Sequence, residues 1–244
     1  MGETRTASDN RFLRPRVRSA AYALLVMCAW SFCTNVHALD ADDSVLLGRL
    51  PVATKITASQ ARERIARWQV FIQYTRTKPD AAKITAVNDY FNRFHFVNDA
   101  TLWHRPDYWA TPLQVVAAGA GDCEDIAVAK YFTLRILGIA DEHLRLIYVL
   151  NHDTPSGRPD AHMVLAYRAT ENTDQLVLDI LTNKIQGLAQ RKALEPVYSL
   201  NSTGLWLVGD NARDVPAGSP IQLAQWRQLS KAMGRDATLM QIPR

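Results

Sequence analysis

The run Gly121-Asp122-Cys123-Glu124-Asp125 sets a thiol among three carboxylates at the mouth of a predicted helix. A thiolate is the nucleophilic form of cysteine, and the unpaired N–H groups of a helix N-terminus favour it. The neighbouring carboxylates oppose it, so the site calls for a positive charge: an imidazolium, a bound cation, or both. Ala120 and Gly121 are small enough to let a substrate backbone approach. Further on, His162 opens one predicted strand and Asp179 lies near the end of another. On adjacent antiparallel strands the two side chains can meet, the carboxylate holding one imidazole nitrogen while the other faces Cys123. Each residue alone is more often structural, a lone cysteine usually filling a core. The order Cys, His, Asp on helix, strand and strand points to covalent catalysis.

The other two cysteines, Cys28 and Cys33, lie in an apolar stretch near the N-terminus. Arg11, Arg14, Arg16 and Arg18 precede that stretch, and Val36-His37-Ala38 offers a small-x-small cleavage site. Residues 1–38 are therefore expected to be a secretory signal, with an uncleaved anchor as the alternative. Bulky Met27 and Phe32 before the two cysteines argue against lipid attachment. Cleavage would leave Cys123 as a lone thiol with no internal disulfide to form. It also removes five arginines against Glu3 and Asp9, a net of +3 from a chain that is formally +4. The mature part is then near neutral, so the basic balance is no argument for nucleic-acid binding. Residues 39–56 are expected to form an N-terminal extension, and 57–244 one domain with a substantial core.

Helices come first. Thr57 to Gln60 has capping-box spacing, and Ala61, Ile65, Trp68 and Ile72 recur at helical intervals, predicting a helix over about 58–77. Asp80 is expected to cap a second helix with Ile84, Val87, Phe91 and Phe94 on one face. Residues 95–110 read as irregular and aromatic. Thr111-Pro112 opens a short helix, and another begins at Asp122 or Cys123 and stops near Gly138. The period then becomes extended over 144–150, 162–168 and 176–180, with a further strand at 206–208 and a closing helix at 220–233. Helices followed by strands predict an α+β fold with an antiparallel sheet. Arg62, Arg64 and Arg67 read as a solvated helix face, and His104 and His152 as surface histidines. Trp103 and Trp109 could line a groove or give an indole N–H to an oxyanion, but more simply fill the core.

Asp107-Tyr108-Trp109-Ala110-Thr111-Pro112, Gly119 to Ala127, Lys130-Tyr131-Phe132, Ala161 to Leu165 and Leu178-Asp179 resemble the bacterial transglutaminase-like cysteine peptidases of the LapG type. The resemblance spans roughly residues 58–210. It implies a papain-like, transglutaminase-type fold, a helical lobe packed on a C-terminal antiparallel sheet. It further implies a calcium-dependent periplasmic endopeptidase that clips the N-terminal region of a large surface adhesin beside paired alanines, releasing the adhesin and dispersing biofilm. By the same likeness Cys123 is the nucleophile, His162 the general base and acid, and Asp179 its orienting partner. An inner-membrane cyclic di-GMP receptor would be the inhibitory partner.

Calcium, by this resemblance, would be held by Asp122 and Glu124, with Asp125 as a further ligand. Hard oxygens suit calcium, yet the run lacks the spacing of an EF-hand loop and calcium needs six to eight oxygens. Read without the resemblance, the run is more simply a capping cluster, with Asp122 as N-cap and Glu124 and Asp125 in the first turn. Two other functions stay open on the residues: acyl transfer to an amine by the same triad, and a non-catalytic calcium-dependent binding module.

Overall fold

The computed structural model describes residues 56–170, 173–208 and 214–236. The expected signal at 1–38 and nearly all of the extension at 39–56 lie outside the described residues. Thr57 closes a complete capping box with Gln60 ahead of α1 (Ala58–Thr75), which buries Ala61, Ile65, Trp68 and Ile72. In α2 (Asp80–Phe91) the N-cap is Pro79; Asp80 is already inside the first turn and pairs with Lys83 at 3.0 Å instead of capping. A carboxylate is favoured there by the helix dipole whether or not it caps.

The stretch expected to be irregular holds two small elements. β1 (His95–Phe96) pairs in parallel with β2 (Ala120–Gly121), and α3 (Asp99–Leu102) is capped by the Asn98 side chain. Both are too short for periodicity to reveal. α4 (Pro112–Ala118) starts on a Thr111–Gln114 capping box and ends at Gly119, whose φ of 64° favours glycine. α5 (Cys123–Ile136) follows, with Asp122 as its N-cap.

A seven-stranded sheet comes next, in the order β6-β5-β4-β3-β7-β8-β9. Its strands are β3 (Leu144–Asn151), β4 (Asp160–Tyr167), β5 (Leu176–Asp179), β6 (Thr182–Gly187), β7 (Leu194–Leu200), β8 (Leu205–Val208) and β9 (Asp214–Gly218). All neighbouring pairs are antiparallel. α6 (Ala224–Asp236) closes the described chain. The strands of this sheet that sequence reasoning missed are β6, β7 and β9. β6 is polar, and Pro196 and Pro216 sit in the other two, where proline argues against a strand. Pro196 is tolerated because the β3–β7 register shifts beside it.

One face of the sheet, through Met163, Leu165, Leu178, Leu200 and Leu205, shares a core with the helices. The other face carries a smaller cluster of Ile147, Val149, Val164, Ala166, Val177 and Leu194, with Leu188 packed against it. This is the helical lobe on an antiparallel sheet that the resemblance implies. Arg64 departs from the solvated face expected of it: its guanidinium donates to the carbonyls of Ala117 and Ala118 at 2.9 and 2.8 Å. Those are orphan acceptors at the end of α4, so Arg64 ties α1 to the turn before the acidic run. Among the described residues, no helix is long and apolar enough to cross a membrane.

Candidate active site

Cys123 is the first residue of α5 and is buried. Asp122 accepts from the Asp125 N–H at 3.2 Å, the side-chain cap expected of it. The thiol donates to Glu124 Oε2 at 2.7 Å. Burial pushes the thiol far above its ordinary pKa, and the charges of Glu124 and Asp122 add to that; the Met163 N–H pulls the other way. That last contact locates the sulfur. β4 pairs with β5 only over Leu165 to Tyr167, so His162 and Met163 lie on the part of β4 that β5 does not cover. The thiol meets β4 there, at the residue next to His162.

His162 Nε2 lies 2.8 Å from Asp179 Oδ1, with both side chains buried. Asp179 also accepts from the Leu181 N–H at 3.0 Å and from Arg191 Nη2 at 2.6 Å. Burial alone would raise the Asp179 pKa. The hydrogen bond and charge of His162, the Leu181 amide and Arg191 outweigh it and bring the carboxyl down to about 2. A carboxylate so held stays ionised and fixes one imidazole nitrogen, leaving Nδ1 as the nitrogen able to exchange a proton with a nucleophile. Arg191, from the β6–β7 connection, is a partner that sequence reasoning missed.

Of the three expected metal ligands, Asp122 and Asp125 converge and Glu124 does not. The third member of the cluster is Asp99 of α3, and ligand atoms of Asp99, Asp122 and Asp125 all lie within 4.8 Å of one another. Glu124 turns instead to the thiol. Burial raises the pKa of all three: Asp122 to about 10 and Asp125 to about 8, with the charges of neighbouring carboxylates adding to both, and Asp99 upward as well although its hydrogen bond with Asp122 pulls it back. Asp99 Oδ2 accepts from the Tyr108 N–H at 2.5 Å, while its Oδ1 is buried with no donor. Asp125 spends a lone pair of each oxygen on the protein, accepting from the Ala110 N–H and the Trp103 indole, both at 2.7 Å. Each oxygen keeps a second lone pair. Three desolvated carboxylates with an orphaned oxygen among them are a donor set that suits a hard cation. The only local clue to Asp99 in the sequence is Asn98, a capping residue at the start of a helix of four residues.

The tryptophans divide. Trp103 is committed to Asp125, which removes it as an oxyanion donor. Trp109 is buried, its indole N–H lacks an acceptor among the described residues, and the residue lines a cleft of about 680 Å³ together with Asp122, Glu124, Tyr148, Ala161 and Tyr198. His104 and His152 are exposed, as expected, and His152 pairs with Glu195 at 2.7 Å.

A family model described as bacterial transglutaminase-like cysteine proteinase matches residues 55–193. Solved structures of Legionella pneumophila LapG are similar. An EGTA-treated form is 34% identical, covers 75% of this chain and 94% of its own, and superposes with a TM-score of 0.63. A calcium-bound form is 32% identical, covers 78% and 98%, and gives 0.62. No curated protein matches the chain.

Proposed function

The chain belongs to the bacterial transglutaminase-like cysteine proteinases, and from that premise we propose that it is an exported, calcium-dependent cysteine endopeptidase. Its substrate is the N-terminal region of a large surface adhesin, and cleavage releases the adhesin and disperses biofilm. It works in the periplasm, where an inner-membrane cyclic di-GMP receptor restrains it. The observation that carries the catalytic reading is the buried 2.8 Å hydrogen bond between His162 and Asp179. It lies on strands against which the Cys123 helix packs, and a structural histidine would not need an ionised, doubly braced partner.

In this reading His162 Nδ1 takes the thiol proton as Cys123 Sγ attacks the scissile carbonyl carbon. Asp179 stabilises the imidazolium that results. The Cys123 backbone N–H, at the helix terminus, and the unpaired Trp109 indole receive the oxyanion. The C–N bond then breaks, His162 returns its proton to the departing amine, and an acyl-enzyme is left. Water, deprotonated by His162, releases the acid and the free thiol. Asp99, Asp122 and Asp125 would hold calcium, with Glu124 close by at the thiol. The cation supplies positive charge that offsets the carboxylates raising the Cys123 pKa. The calcium-bound form of the similar LapG and the three-carboxylate cluster support that assignment.

The deciding experiment is cleavage of an adhesin N-terminal fragment by wild type and by Cys123→Ala, each with calcium and with EGTA. Cleavage by calcium-loaded wild type alone is expected. Stable incorporation of a labelled amine without chain cleavage would refute the peptidase in favour of acyl transfer. A Cys123→Ala protein that keeps full function would leave only a binding module.

A further inference from the structure

Lys130 sits seven residues after Cys123, two turns along the same side of α5. It is 1% exposed and, among the described residues, has no carboxylate partner within hydrogen-bonding distance. Its Nζ donates to Asn88 Oδ1 at 2.9 Å and to Asn92 Oδ1 at 2.7 Å, both at the C-terminal end of α2. The Asn92 amide then donates to the carbonyls of Asp179 and Thr182 at 2.9 and 3.1 Å, and to Asn183 Oδ1 at 2.9 Å. The Asn88 amide reaches only the Asn183 carbonyl, at 3.3 Å. A continuous chain of hydrogen bonds therefore runs from the helix that carries the thiol to the backbone of the residue that orients the imidazole.

Burying a lysine is costly, and an apolar residue of similar length usually serves packing as well or better. What an apolar residue cannot do is fix which way two amides point. With its oxygen held by Lys130, Asn92 must present its NH₂ to the β5–β6 turn. Burial lowers the Lys130 pKa to about 7, with Asp179 and Asp89 pulling it back up. The chain survives either charge state, because a neutral amine still has two N–H groups for two acceptors.

Resting on the peptidase reading above, we propose that Lys130 and Asn92 are positioning residues, which set the height of Asp179, and through it the His162 imidazole, relative to Cys123. Asn92→Asp separates this role from simple stability. It keeps an acceptor for Lys130, now as an ion pair, but can no longer donate to the Asp179 carbonyl. Asn88→Asp is the matched control, bonded to the same lysine and not linked to Asp179.

The assay uses the adhesin N-terminal fragment as substrate, with calcium present. Asn92→Asp is expected to lose about tenfold to a hundredfold in kcat with KM within about twofold, while Asn88→Asp stays near wild type. The imidazole N–H resonance of the His162–Asp179 bond, read by NMR, should shift in Asn92→Asp and hold in Asn88→Asp. A folded Asn92→Asp with wild-type kcat and an unmoved resonance overturns the proposal. If that variant does not fold, Asn92→Ser, too short to span both partners, carries the same comparison. If the wild type cleaves nothing, the peptidase reading falls, and the resonance alone decides whether Asn92 positions the dyad.

Discussion

Asp99→Asn should make the calcium-free protein more stable and the calcium-bound protein less so. The three carboxylates of Asp99, Asp122 and Asp125 bring oxygens within 4.8 Å of each other. At an effective dielectric of about 20, two unit charges at that separation repel by about 3 kcal/mol. Protonation of Asp122 or Asp125, whose pKa values are raised to about 10 and about 8, relieves part of this repulsion near neutral pH. The gain from removing one charge is therefore about 1 to 3 kcal/mol, or roughly 3 to 10 °C in melting temperature for a domain of this size. Asparagine fits the site: its carbonyl can keep the Tyr108 N–H and its NH₂ can donate to Asp122, so that Asp122 no longer has to hold a proton to bond its neighbour.

Calcium reverses the order. Wild type gains stability as RT ln(1 + [L]/Kd), and the variant, with one anionic ligand fewer, gains much less. Melting curves of both proteins in EGTA and in millimolar calcium should cross. Two results would refute the reasoning: an Asp99→Asn protein that melts no higher than wild type in EGTA, or one whose calcium shift equals that of wild type. Either would mean that the cluster is a capping arrangement and that its charges are already accommodated.

Three other outcomes follow from single contacts. The folded Asp179 pKa of about 2 lies below the ordinary aspartate value, so its contribution is present above pH 4 and is lost as pH falls toward 2. Urea titrations of Asp179→Asn should show a deficit of about 2 to 3 kcal/mol at pH 6 that shrinks toward pH 2; a deficit independent of pH would contradict the assignment. A Cβ at Gly121 would lie 2.7 Å from Asp125 Cβ and 3.1 Å from its Oδ2. Gly121→Ala should therefore displace Asp125 and blunt the calcium-induced rise in melting temperature, and an unaltered rise would count against Asp125 as a ligand. Arg64→Ala should cost about 1 to 3 kcal/mol in chemical denaturation, because it strands two carbonyls at the end of α4. Arg67→Ala, which breaks an exposed pair with Glu63, should cost less than about 0.5 kcal/mol, and equal effects would show that Arg64 is not a cap.

Much of this fold was legible because its helices announce themselves. Thr57 with Gln60, Thr111 with Gln114, and the glycines at 119 and 138 are local signals, and each marks a helix end. The strands at 144–151, 160–167 and 176–179 were legible as apolar runs. β7 was not, because Pro196 reads as a break until the bulge beside it is known. The site shows the same division. Cys123, His162 and Asp179 stand out by type and order, whereas Arg191 and Asp99 reach the site only through tertiary contacts. Arg64 shows why: its helical spacing places it on a polar face, and nothing local says that the end of α4 abuts that face.

The acidic run links charge to geometry, and Asp125 is the link. It is fully buried, with one oxygen on the Ala110 N–H and the other on the Trp103 indole. Both donors belong to the segment between α3 and α4 that also carries Trp109, a residue of the cleft lining whose buried indole N–H has no acceptor among the described residues. A cation shared by Asp99, Asp122 and Asp125 would therefore act on the thiol in two ways. It would remove the repulsion that now opposes the thiolate, and it would fix α3 and the Trp109 segment against the first turn of α5. A monovalent cation could supply part of the charge. It could not draw three carboxylates together as strongly, so activity restored by calcium and not by a monovalent cation would point to the geometric route.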